Sequence, residues 1–74
     1  MTLEQIQGMN LQVGDKIEIT RDDSQRELVY YLGIKGSYQL RFSDRLDGSG
    51  KPTQTNFLYK IPFIKEIKVL EYKK

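Results

Sequence analysis

Few side chains in this sequence can do chemistry, because it contains neither histidine nor cysteine. That removes the commonest general base, the commonest transition-metal ligand and any thiolate nucleophile. Catalysis would have to rest on carboxylates, lysine, tyrosine or a bound metal. The paired carboxylates, Asp22-Asp23 and Asp44/Asp47, fall in polar, turn-forming stretches, where aspartate is favoured because its side chain bonds the nearby backbone. Asp44 to Gly50 fails as a calcium loop: counted from Asp44, Leu46, Gly48 and Thr55 stand where oxygen ligands are required. Gly48 to Thr53 fails as a phosphate loop, since Arg45 and Pro52 replace the first glycine and the Ser/Thr of that pattern. The sequence therefore reads as a binding domain, not an enzyme, with no metal site and no cofactor.

What remains is a set of cations around an aromatic ring: Lys16, Tyr31 and Arg41, extended by Lys60, Arg45 and Lys51. A tyrosine flanked by cations on an open sheet face can stack a base and neutralise a phosphate. Stacking one base is worth about 1–3 kcal/mol. Whether these residues converge depends on the strands that carry them.

The organising stretch is Leu28 to Phe42, where two alternating apolar runs flank Lys35-Gly36-Ser37. This pattern predicts a β-hairpin. A three-residue loop sets Ile34 opposite Tyr38, Leu32 opposite Leu40 and Tyr30 opposite Phe42, giving one wholly apolar face. Upstream, Thr2-Leu3-Glu4-Gln5 matches a capping box and predicts a short helix over Leu3 to Gln7, ended by Gly8. Gly14-Asp15 marks a bend, and Ile17 and Ile19 alternate with Lys16, Glu18 and Thr20 in a first strand. Pairing Ile19 with Leu28 puts Ile17 opposite Tyr30 across a turn at Asp22 to Gln25. These registers align Lys16, Tyr31 and Arg41 in one outward row. Ser43 to Gln54 is the longest loop, Thr55 to Ile61 a fourth strand stopped by Pro62, and Glu66 to Tyr72 the last. Phe63 and Ile64 form a tight turn between them.

Length and charge set the remaining bounds. Seventy-four residues make one small domain, 1–74, near the lower limit for an unaided core. No run approaches the roughly 20 apolar residues that cross a bilayer, and Met1 to Glu4 lacks a signal-peptide pattern. A cytoplasmic protein without membrane contact is the expectation. Residues 1–27 carry six acids and three bases, residues 28–74 four acids and nine bases, a split that suits an anionic partner on the later strands.

Five short strands joined by hairpins need closure to hide their edges. The expected fold is all-β: a small five-stranded SH3-like barrel with a short N-terminal helix. An oligonucleotide-binding barrel would need a helix between strands three and four that this sequence lacks. The order of elements resembles the Sm-like family, with Gly33 to Tyr38 at the hairpin of its second and third strands and Ile61-Pro62-Phe63-Ile64 at its last turn. That resemblance implies an Sm-like fold and ring assembly. The family's base-binding residues are not matched, because Ser37-Tyr38-Gln39 and Tyr59-Lys60-Ile61 stand in their places. The expected core is Ile17, Ile19, Tyr30, Leu32, Leu40, Phe42, Phe57, Tyr59 and Ile67. The expected function is non-catalytic binding of single-stranded RNA or DNA. The alternative is a protein partner or homo-oligomer, joined through apolar Val29, Tyr31 and Leu58 or a free strand edge.

Overall fold

The computed structural model describes residues 1–53 and 57–72. Helix α1 spans Leu3–Gly8, and its capping box is complete: the Thr2 side chain accepts from the Gln5 backbone, and the Gln5 side chain accepts from the Thr2 backbone. A helix of six residues is unstable alone; burial of Ile6 holds it to the sheet. Strands β1 (Lys16–Arg21), β2 (Arg26–Lys35), β3 (Gln39–Ser43), β4 (Phe57–Lys60) and β5 (Ile64–Glu71) form one antiparallel sheet in the order β4-β3-β2-β1-β5.

This order overturns the barrel. Strands β4 and β5 are the two edges of the sheet, and among the described residues no ladder joins them, so the SH3-like and Sm-like closure is not present. The chain runs from one edge to the other through a single 3-10 turn, Ile61–Phe63. Pro62 offers no N–H there, and a turn of this kind redirects the backbone without laying β5 beside β4. The sheet instead curls, aided by three register shifts on β1 and β2, since bulges bend and overtwist a strand. The fourth-strand positions Thr55 and Asn56 lie outside the described residues, as does Gln54 of the long loop.

The hairpin registers also differ from expectation, by one position between β1 and β2 and by two next to the loop between β2 and β3. Between β1 and β2 the loop is Asp22 to Ser24, with Ser24 at φ 67° and the Arg21 N–H donating to the Gln25 carbonyl at 2.9 Å. Ile17 therefore faces Val29, and Lys16 faces Tyr30. Because side chains alternate with period two, that slip sends Val29 and Tyr31 inward and Leu28 and Tyr30 outward. Between β2 and β3 the loop does have three residues, but they are Gly36 to Tyr38, with Lys35 paired to Gln39 and Ile34 to Leu40. A bulge at Leu32-Gly33 then changes the phase, so that Tyr31 faces Phe42. Gly33 sits at φ +131°, a conformation that favours glycine.

The core that results is Ile6, Ile17, Ile19, Val29, Tyr31, Leu40, Phe42, Ile61, Ile64 and Ile67. Tyr30 and Leu32 leave the expected core because of the register slip and the bulge. Phe57 is 42% exposed, since it lies on the uncovered edge strand, and Tyr59 only packs against the core from outside. Gly14 and Asp15 form the expected bend, and it fixes Tyr31: Gly14 N–H donates to the Tyr31 carbonyl at 2.8 Å, and Tyr31 N–H donates to the Asp15 carbonyl at 2.9 Å. The buried Asp15 carboxylate accepts from the Gln12 N–H at 2.9 Å.

Candidate nucleic-acid interface

The outward row of Lys16, Tyr31 and Arg41 is not formed. Tyr31 is only 8% exposed and points into the core, where burial pushes its phenol above the usual tyrosine range. Lys16 pairs with Tyr30 on one side and Glu71 on the other. Arg41 lies further along the outer face, in register with Gly33 on β2 and Leu58 on β4.

Two of the six expected residues do come together. On β3 and β4, Leu40 and Phe42 face inward, so Gln39 and Arg41 face outward along with their partners Lys60 and Leu58. Arg41 and Lys60 are thus diagonal neighbours across adjacent strands. Lys35 continues the row beyond Gln39. The Lys60 ammonium lies 5.9 Å from the centre of the Tyr38 ring, within cation–π range. None of the outer positions Gly33, Lys35, Gln39, Arg41, Leu58 and Lys60 is acidic. Tyr38 is about half exposed. Tyr38, rather than Tyr31, is the exposed ring beside one of the expected cations.

Arg45 and Lys51 stay in the long loop. The exposed Arg45 guanidinium pairs with Asp44 at 3.3 Å, and this hydrogen bond raises its pKa. The backbone N–H of Lys51 donates to Asp47 at 3.0 Å. Asp47 also accepts from the Ser49 N–H and hydroxyl, so it performs the turn role expected of it. Inside this loop, buried Ser43 meets the Thr53 hydroxyl at 2.7 Å and donates to the Arg45 carbonyl at 2.9 Å. These contacts tether both ends of the loop's described part to the end of β3.

A second feature was not legible in the sequence. Where β3 stops, an apolar cleft of about 480 Å³ opens along β4, lined by Arg21, Leu28, Val29, Phe42, Phe57 and Tyr59 among others. Phe42 and Phe57 stack there with centroids 5.8 Å apart. The cleft exists because the sheet is open, which no local pattern announces. The signals for Tyr38 were local, by contrast: a glycine inside a strand marks a bulge, and Gly33 lies between Tyr31 and Tyr38.

Among the described residues, no group of three acidic, histidine or cysteine side chains is placed to hold a metal ion. None of the described helices is long and apolar enough to cross a membrane. No protein-family model, curated protein or solved structure matches this chain.

Proposed function

We propose that this small β-sheet domain is a non-catalytic binding module whose outer β3–β4 face takes single-stranded nucleic acid. The observation that carries the reading is the placement of Lys60 beside Tyr38, with Arg41 diagonal to Lys60 and no acid among the outer positions Gly33, Lys35, Gln39, Arg41, Leu58 and Lys60. A base stacks on the exposed part of the Tyr38 ring while its phosphates meet Arg41, Lys60 and Lys35. Gly33, opposite Arg41, keeps the floor of this face low. Each phosphate neutralised on a single strand releases counterions with a salt slope near −0.7. Three contacts then lower the affinity about 20-fold between roughly 50 and 200 mM salt.

The test is fluorescence anisotropy of labelled mixed-sequence RNA and DNA at both salt concentrations. A steep loss with salt, reduced in Arg41→Ala and Lys60→Ala, is the expected outcome. No binding at the lower salt overturns the reading.

The apolar cleft favours a second reading, a protein-interaction or assembly domain. Leu28, Phe57 and Leu58 are 56%, 42% and 41% exposed around it, and β4 is an edge strand among the described residues, to which an extended partner segment can add. A partner held in this way keeps its affinity across the same salt range.

A further inference from the structure

Tyr30, Lys16 and Glu71 stand side by side on three adjacent strands. Lys16 is the register partner of Tyr30 on β2 and of Glu71 on β5, so the row spans about 10 Å at the usual strand spacing. All three line a pocket of about 250 Å³, bordered by Gly14, Leu46, Gly50 and Tyr72. The outer β3–β4 face does not use them, and neither does the core. The pocket is below the roughly 300–1,000 Å³ of sites for drug-sized ligands, and its size suits a single planar ring system. Two tyrosines, Tyr30 and Tyr72, are among its lining, and an aromatic ring can stack on a planar base. Two glycines leave its border open.

The polar groups are complementary to one base. Glu71 is an acceptor with two oxygens, and Lys16 is a donor only. Of the four common bases, guanine alone presents two adjacent N–H donors, N1 and N2, to the two oxygens of one carboxylate. Its O6, next to them, is an acceptor for an ammonium. Adenine, cytosine and uracil each offer Glu71 a single donor position. The geometry points to a guanine-binding subsite in which Tyr30 and Tyr72 stack the base, Glu71 accepts from N1–H and N2–H, and Lys16 donates to O6. The inference rests on the nucleic-acid reading of the outer β3–β4 face, because Tyr30 lies on the same side of the sheet: its β3 partner, Ser43, is two residues from Arg41.

Two measurements separate the two readings. The first titrates the full chain with guanosine, adenosine, cytidine and uridine 5′-monophosphates while following the NMR signals of the Tyr30 and Tyr72 rings. Guanosine monophosphate is expected to shift both rings and to bind about tenfold more tightly than the others, in line with the discrimination of a bidentate base contact. Glu71→Gln, at an exposed position, is expected to abolish that preference. Equal shifts from all four nucleotides, or none at either ring, overturn the subsite. The second measurement is anisotropy of oligonucleotides with and without guanine. Salt-dependent binding that ignores guanine and is unchanged by Glu71→Gln overturns the subsite and leaves the β3–β4 face standing. Guanine-specific shifts without oligonucleotide binding support the subsite and remove the face.

Discussion

The guanidinium of Arg21 on β1 lies 5.4 Å from the centre of the Tyr59 ring on β4. These strands are separated by two others in the sheet. In a flat sheet their backbones would stand about 14 Å apart with side chains projecting in parallel, so this contact records how far the sheet curls. Arg21 is held in place by Glu27 at 3.0 Å and Asp23 at 3.1 Å, and its hydrogen bond to Asp23 raises its pKa. Arg21→Met, which keeps the stem and removes the fork, is expected to lower the melting temperature, as is Tyr59→Leu. The double variant should lose less than the two single losses together. Strict additivity in thermal unfolding followed by circular dichroism would show that the ring and the guanidinium are not coupled.

Gly33 and Gly36 both have positive φ, but they differ in kind. A Cβ would meet nothing within 4 Å at either position, so backbone strain alone decides the cost. Gly36 lies at φ +64°, where asparagine is tolerated, whereas Gly33 at φ +131° is in a region that side chains avoid. Gly33→Asn is expected to cost about 1–3 kcal/mol, and Gly36→Asn clearly less. Urea denaturation of the two variants checks the order.

Tyr31 and Tyr38 exchange the exposure expected for them: Tyr31 is buried and Tyr38 about half exposed. Tyr31→Ala removes a buried ring and is expected to cost about 3–5 kcal/mol of stability, enough to unfold much of so small a domain. Tyr38→Ala should leave the melting temperature almost unchanged and weaken oligonucleotide binding by about 1–3 kcal/mol. Measuring stability and binding on both variants tests this exchange. A folded, weakly binding Tyr31→Ala protein would reverse it.

Acid stability follows from two turn aspartates. Asp23 accepts from the Gln25 N–H, then from Arg21, and Asp47 from the Ser49 hydroxyl and the Lys51 N–H. These hydrogen bonds hold both carboxyls below the usual aspartate range. As acid is added, the unfolded chain therefore takes up these protons first. The stabilisation is complete above about pH 4 and is lost as the pH falls through the lowered folded values. Asp23→Asn combined with Asp47→Asn should flatten the fall in melting temperature between about pH 5 and about pH 2. An unchanged slope would assign the acid sensitivity to other groups.

Local chemistry was readable from the sequence. The capping box at Thr2 and Gln5, the bend at Gly14-Asp15, the turn aspartates and the all-β composition each depend on neighbours a few residues away, and the structure contains each of them. Ile17, Ile19, Leu40, Phe42 and Ile67 were also identifiable as core, because each is apolar within an alternating strand. Tertiary structure alone decided the phase of β2. Val29-Tyr30-Tyr31-Leu32 is apolar at every position, so period-two alternation cannot say which pair faces inward. Ser24 at positive φ and the bulge at Gly33 settled that by sending Tyr31 into the core and Tyr30 outward. Closure was equally out of reach, because whether β4 meets β5 depends on the summed curl of five strands and not on any stretch of residues. The candidate site shows the same division: its cations were visible as residue types, but which tyrosine stands near them was decided by the registers of β2, of which Gly33 was the one local sign.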